Sequence, residues 1–547
     1  MAAQSLMERP RHVLALLLSL PPLDLLKNIL LGLFVQRILR KVYRQVRVRG
    51  VVGASSLFIK AVAQAVISLV RSSMPGADAL VKKEVDKHIE SVQRSVAPEL
   101  PGVNKYLTLP PNGLADGFVR QELVKHKDLG HVDWEGGRVS GAIYHGGDEL
   151  NSLITEAYGM FTISNPLHPE VFPGIRKMEA EIVSMVSAMY HGPAGVCGSV
   201  TSGGTESILM AVKTYRDMAR DLRGITEPEM VLPVTAHAAF DKAANYFGIT
   251  IVHIPMVPAT GKVDLAKAAA AINSNTIMIV GSAPGFPHGI VDDIPALAAL
   301  ARKHRIGMHV DCCLGGFIVP FAEAAGFPLP HHVDFRVEGV TSISVDPHKY
   351  GFAPKGTSVV LYRSKDIRKY QYFVQTEWPG GVYGSPSIAG SRPGALIAGC
   401  WATMIHFGYS GYVQTTKEII GAARRLAAGI EKIDGLRLMG EPLLSVVAFE
   451  AILPIKTYAV ADLLSRKGWH LNVLQFPASI HMACTMRTVP AVDDLLADIE
   501  EAVATLRKDP TAGNGDLAAI YGSAATVPDR TIIADITRGF LDGLTKI

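Results

Sequence analysis

Four short stretches carry residue types that could do chemistry together. "SVDPHKYGFAP", residues 344–354, holds Lys349 behind His348 and just after a strand-like apolar run. A lysine held among apolar groups loses its proton more readily, because burial disfavours the charge. The neutral amine can then condense with an aldehyde; an exposed lysine in a turn is the plainer alternative. "HVDCCLGG" puts Asp311 at the end of another apparent strand, where α/β sheets gather ligand contacts. A buried acid needs a partner, such as a protonated ring nitrogen, an arginine or the start of a helix. "SVTSGGTES", residues 199–207, runs Gly203, Gly204 and Thr205 straight into the periodic "ILMAVKTYRDMAR". A helix start offers unpaired N–H groups and a positive dipole end, and glycines let a phosphate approach closely. By itself it is also an ordinary capped helix. "TAHAAFDKAANYFG" places His237 between a strand and a helix. Its flat ring could stack on a flat ligand, or be a satisfied structural histidine.

Together the four stretches are much less ambiguous. A phosphate cradle, a stacking ring, an acid for a pyridine nitrogen and a lysine for an aldehyde are what pyridoxal 5′-phosphate requires.

The elements that would position these groups alternate from about residue 140 onward. "GITIVHIPM" and "NTIMIVGSAPG" read as strands, "IPALAALARKHRI" as a helix, and "GMHVDCC" as a strand ending near an acid. This pattern predicts an α/β domain on a mainly parallel sheet. Near residue 400 it changes to long helices and then the strand-like "LLSVVAFEAI", which predicts a smaller α+β domain. The expected organisation is an N-terminal arm (1–75), a linker and helical segment (76–140), a large cofactor domain (141–398), a small C-terminal domain (399–508) and a peripheral tail (509–547). Walker, zinc-ligand and GxSxG patterns do not occur, so no metal is expected.

The chain has 547 residues, 48% of them hydrophobic, enough for a large core. Only 19% are charged, which suits a surface partly covered in an oligomer. A formal net charge of +4 is too small to argue for nucleic-acid binding, and five cysteines in so long a chain make no disulfide framework. Residues 13–35 are long enough to span a bilayer. Their Leu, Ile, Val and Phe residues favour insertion by about 0.3–0.6 kcal/mol each, while Asp24 and Lys27 oppose it by about 2.5–3.5 each. The near-zero balance leaves either a span or an interfacial helix. A second apolar run occupies 56–70, and Arg37, Arg40, Lys41, Arg44, Arg47 and Arg49 lie between the two. That basic stretch places the body on the cytosolic side. A signal peptide is disfavoured, because no small-residue cleavage site follows the first run.

"TSGGTES", "HVDCCLGGF" and "SVDPHKYGFAPKG" closely resemble the fold-type I, pyridoxal-phosphate-dependent enzymes of the group II decarboxylase superfamily. More narrowly, "SGAIYHGGDE", "NPLHPEVFPGIRKMEAEIVSM", "GSAPGFPHGIVDDI", "TEWPGGVYGSPSIAGSRPG" and "KGWHLNVLQFPASIHM" resemble the sphingosine-1-phosphate lyase family, from about residue 100 to the C-terminus. The resemblance implies cleavage of the C2–C3 bond of phosphorylated long-chain bases to a fatty aldehyde and phosphoethanolamine. It also implies a homodimer with sites at the subunit interface and residence at the endoplasmic reticulum membrane. By match, Lys349 would carry the cofactor, Asp311 would meet its pyridine nitrogen and His237 would stack on its ring. Gly204, Thr205 and His348 would hold its phosphate, and Ser391 would reach the phosphate in the neighbouring subunit. Tyr144 and Lys355 match residues near the scissile bond and the substrate phosphate, and His168 matches a substrate-phosphate contact. His288 stands where some relatives carry a tyrosine. The rival readings are an amino-acid decarboxylase acting on glutamate or an aromatic amino acid, and a catalytically silent membrane scaffold.

Overall fold

The computed structural model describes residues 22–73, 76–98, 100, 102–130, 132–258, 260–513, 515 and 530–547. Its centre is a seven-stranded sheet. The strands in chain order are β1 (Cys197–Thr201), β2 (Glu229–Pro233), β3 (Thr250–Ile254), β4 (Thr276–Ser282), β5 (Gly307–Cys312), β6 (Ser342–Val345) and β7 (Ser358–Tyr362). Their spatial order is β1-β7-β6-β5-β4-β2-β3. Strands β3, β2, β4, β5 and β6 pair in parallel, and β7 runs antiparallel between β6 and β1. The sheet is therefore mixed, with a parallel majority as the alternating pattern predicts.

Every residue of β4, β5, β6 and β7 is buried. Helices cover both faces, so these strands are continuous apolar runs rather than alternating ones. The helix Gly204–Arg223 buries Ile208, Leu209, Val212 and Tyr215 and stops at Gly224, whose φ of 63° is the left-handed geometry of a helix C-cap. The helix Ile294–His304 begins under Asp293, whose carboxylate accepts a hydrogen bond from Ala296 N at 3.0 Å. The register sets Asp311 beside Ser282 on one flank and Ser344 on the other. Three strand ends therefore deliver their side chains to one place, the carboxyl edge of the parallel sheet.

After the exposed hairpin of β8 (Phe373–Trp378) and β9 (Gly381–Ser385), a long helix, Gly394–Ile430, leads to a second sheet. That helix runs straight across position 398 and is interrupted at Gly408, with φ 54°. The second sheet has the order β10-β11-β13-β12, from Leu436–Leu438, Val446–Ala451, Ser479–Ala483 and Asn472–Leu474, and is antiparallel throughout. Residues near 140 join it: Val139 bridges His470, and Ala483 N donates to Ser140 Oγ at 2.9 Å. The large and small sheets meet where the loop after β4 reaches β11 and β13. His481 Nδ1 donates to Pro287 O at 2.8 Å.

The N-terminal arm is a helix, Pro22–Ser73, broken at Gly50 with φ 72°. Leu30, Leu31, Phe34 and Phe58 project from it into the open. The apolar run 13–35 lies partly outside the described residues, and among the described residues no helix is long and apolar enough to cross a membrane. The polar segment after it forms the helix Ala77–Val96, which packs against the C-terminal helix Arg530–Gly543 through Ile89 and Gly539. Residues 516–529 of the tail lie outside the described part.

Gly289 sits at the junction of the two sheets with a φ of 70°, and a Cβ there would lie 2.6 Å from Val446 O. Both the backbone conformation and the contact exclude a side chain. Gly289→Ala is expected to lower stability by about 1–3 kcal/mol, read as the denaturant midpoint. An unchanged midpoint would show that the two sheets do not dock through this loop.

Candidate active site

The carboxyl edge of the large sheet brings together Lys349, Asp311, Asp346, His348, Tyr144, Lys355 and Cys313. Asp311 is 6% exposed, and its Oδ1 accepts hydrogen bonds from Cys313 N at 2.9 Å and from Ser344 Oγ at 3.4 Å. Ser344 is in turn 3.1 Å from Nε2 of His309, whose Nδ1 lies 2.7 Å from Ser342 Oγ. Burial pushes His309 down to about 4, so its ring is neutral and can share these hydroxyl contacts. The Asp311 carboxylate is thereby held in one orientation at the strand end. His309 lies one turn of the strand pattern before Asp311 and was not singled out from sequence, because a lone histidine in an apolar run has no motif.

Lys349 follows β6 by a tight turn in which its N–H donates to Asp346 O at 3.1 Å. Its Nζ stands 3.0 Å from Asp346 Oδ2, and His348 Nε2 stands 3.6 Å from the same oxygen. Neither Asp346 oxygen is aligned to accept a hydrogen bond, so the Lys349 contact is ionic, whereas burial holds His348 below the ordinary histidine value and its contact is polar only. Burial works to depress Lys349, but Asp346, with smaller contributions from Cys313, Tyr144 and Asp311, raises it above the ordinary lysine value. The expectation that burial alone would leave a readily neutral amine is therefore corrected: this lysine has a counter-ion that the sequence reading did not identify. The only sequence signal was Asp346 three residues before Lys349, in a "DP" pair that looks like a turn.

Gly204 opens its helix with no side-chain cap, so the first N–H groups are left to a ligand or solvent. Glu206 braces the turn by accepting from Ser202 N at 2.7 Å and from Ile388 N at 3.0 Å. Thr201, Ser207 and Ser358 form a chain of hydroxyl contacts at 2.7 Å beneath it, tying β1 to β7. A Cβ on Gly204 would lie 2.7 Å from both Asp346 Oδ2 and Cys313 Sγ, and a Cβ on Gly203 would lie 3.6 Å from the His348 ring. His348 Nδ1 is buried with no partner. A glycine turn, uncapped helix N–H groups and an orphaned imidazole nitrogen side by side make a cradle for a phosphate. With Lys349 and Asp311 within reach of one another's charge, the residues present fit pyridoxal 5′-phosphate.

His237 follows β2 and is exposed. Its Nδ1 accepts from Ala239 N at 3.1 Å, which fixes the ring, and Phe286 meets the ring edge-on at 6.3 Å. Tyr144 is brought in by the small domain, since Met486 N donates to its carbonyl at 3.1 Å and its ring meets Tyr350 edge-on at 4.8 Å. Burial pushes its phenol up to about 12. Lys355 Nζ lies 4.4 Å from the centre of the Tyr144 ring and donates to His348 O at 3.1 Å. It reaches the surface, yet its crowded surroundings and the Lys349 charge push it down to about 8. The two lysines thus differ in electrostatic character although they are near neighbours.

Three expected residues stand apart. His288 is 4% exposed, with Glu450 and His481 as neighbours and an unpartnered Nε2. His168 is exposed beside Glu170 at 3.7 Å. Its loop is tied to the Ser391 loop, because Asn165 Oδ1 accepts from Arg392 N at 3.1 Å and Ser164 O accepts from Gly394 N at 3.0 Å. No hydrogen bond or ion pair joins His168 or Ser391 to the Lys349 cluster among the described residues.

An alanine at position 204 would press on Asp346 and Cys313, both buried. Gly204→Ala is expected to weaken pyridoxal-phosphate binding at least about tenfold and to cost about 1–3 kcal/mol of stability, measured by absorbance titration and denaturant melting. Unchanged binding would contradict the cradle.

Residues 134–452 match the pyridoxal-dependent decarboxylase conserved domain. The chain is 50% identical over 440 residues to sphingosine-1-phosphate lyase 1 of Rattus norvegicus, covering 80% of this chain and 77% of that one. It is 44% identical over 529 residues to the sphingosine-1-phosphate lyase of Arabidopsis thaliana, covering 95% and 94%. Among solved structures, a sphingosine-1-phosphate lyase of Burkholderia pseudomallei superposes with a TM-score of 0.72 at 39% identity, over 76% of this chain and 96% of that one. A glutamate decarboxylase of Lactobacillus brevis, at 21% identity and a TM-score of 0.64, shares the fold. With the lysine, acid and phosphate cradle in place, the chain belongs to the sphingosine-1-phosphate lyase family of pyridoxal-phosphate-dependent enzymes.

Proposed function

We infer that the chain cleaves the C2–C3 bond of sphingosine 1-phosphate and dihydrosphingosine 1-phosphate in sphingolipid degradation, giving a long-chain fatty aldehyde and phosphoethanolamine. The observation that carries this reading is identity to sphingosine-1-phosphate lyases over most of the chain, joined to an intact Lys349 cluster. When bound, pyridoxal phosphate supplies an aldehyde for the substrate amine and a ring that takes up the electron pair released at C2.

The chain's own groups supply the rest. Lys349 holds the cofactor, Asp311 keeps a negative charge at the ring nitrogen, and His237 covers the ring. Gly204, Thr205 and His348 hold the phosphate. Lys355, at about 8, has the value best matched to proton exchange near neutrality and takes the C3 hydroxyl proton. Tyr144, at about 12, stays protonated and steadies the departing oxygen or returns a proton at C2.

The Ser391 loop and the exposed hairpin before it, with Trp378, Val382 and Ile388 in the open, face a second copy, so that Ser391 and His168 serve the partner's site. The arm lies on the endoplasmic reticulum membrane with the body in the cytosol, supported by its exposed apolar side chains and the basic stretch between its two runs.

Incubating the purified protein with sphingosine 1-phosphate is expected to release long-chain aldehyde. Carbon dioxide release from glutamate or an aromatic amino acid in its place would indicate the decarboxylase instead. Because the neutral fraction of Lys355 grows as pH rises through about 8, kcat should rise through that range and level off. Lys355→Arg, which stays charged, should remove this limb and lower kcat by about a hundredfold or more. A limb that persists in the variant would assign it to another group. A chain of residues 76–547 should run as a dimer by light scattering and remain in the supernatant with vesicles. A monomer would contradict the shared site, and pelleting would contradict the arm.

A further inference from the structure

The unexplained group in the site is Asp346. It is 1% exposed, neither of its oxygens accepts a hydrogen bond, and no role follows for it from the cofactor contacts above. A buried carboxylate without hydrogen bonds is costly to hold charged, so an uncompensated one is rarely retained. Its compensation is a cation: Lys349 Nζ at 3.0 Å. Its position is also constrained from behind, because a Cβ on Gly204 would collide with it at 2.7 Å. Pro347 follows it, and its own carbonyl accepts from Lys349 N. Both ends of the turn are thus tied together, and the carboxylate faces the lysine amine from the side of the phosphate cradle.

We propose that Asp346 is a positioning residue, the fixed counter-ion that keeps the Lys349 nitrogen protonated and aimed into the site. A negative charge at 3.0 Å stabilises a proton on that nitrogen both in the free lysine and after the lysine has joined the cofactor. On Lys355 it acts more weakly than burial and the Lys349 charge do, so that two nearby lysines can differ in protonation. The groups that act on Lys349 are Asp346, Cys313, Tyr144 and Asp311, with His348 and Lys355 beside them. Of these, Asp346 is the only acid in ionic contact with Nζ among the described residues. The proposal rests on reading Lys349 as the cofactor lysine.

The test follows the visible band of the pyridoxal-phosphate-loaded protein as pH is varied. In Asp346→Asn the midpoint of the spectral change should move to lower pH by about 1–3 units, while Asp346→Glu, which keeps the charge, should stay near the wild type. A midpoint that does not move in Asp346→Asn would overturn the role of Asp346 and leave the cofactor reading intact. A wild-type protein with no visible band would overturn the cofactor reading itself. If Asp346→Asn does not hold the cofactor, the wild-type chain stripped of it is acetylated across a pH series and mapped by peptide mass spectrometry. Lys349 should then show a higher midpoint than Lys355; an equal or lower midpoint would overturn the proposal.

Discussion

The Asp346 carboxylate fills the space that a side chain on Gly204 would need, and much of the site follows from that contact. Only a glycine can stand at 204, since any side chain would meet Asp346 and Cys313. The helix also opens at Gly203 without a side-chain cap and presents bare N–H groups. The carboxylate in turn needs a cation, which is Lys349. A phosphate cradle and a charged lysine are thus parts of one packing solution, held at the ends of β5 and β6 by the register that sets Asp311 beside Ser344.

This arrangement places opposing charges where a dianionic phosphate must also be bound. Asp346 by itself would repel the ligand, and Glu206 in the first helical turn would do the same. The Glu206 carboxylate oxygens are instead engaged by Ser202 N and Ile388 N. Asp346 is offset by Lys349. The second of those bonds to Glu206 links the glycine turn to the loop carrying Ser391, so the two are mechanically joined.

Much of this was legible from sequence because the key groups sit at strand ends and helix starts, where apolar periodicity changes abruptly. β4, β5 and the helix Ile294–His304 were readable for that reason, and so were Lys349, Asp311 and the glycine turn. The stretch Gly394–Ile430 was read as long helices in succession, and the structure breaks it at Gly408, whose backbone is non-helical. The electrostatic state of Lys349 was not legible. Burial and a counter-ion act in opposite directions on a lysine, and only distances decide which prevails. The partners of Asp311 were hidden for a similar reason: His309, Ser342 and Ser344 alternate along neighbouring strands and meet only through the register. His288, which stands where some relatives carry a tyrosine, lies buried in the junction between the two sheets.

The central claim is that Lys349, and not the nearby Lys355, carries the cofactor. Reducing the pyridoxal-phosphate-loaded protein with borohydride and mapping its peptides by mass spectrometry tests it directly. The account predicts a pyridoxyl group on Lys349 alone. A label on Lys355, or no labelled lysine in a protein that has bound the cofactor, would contradict it.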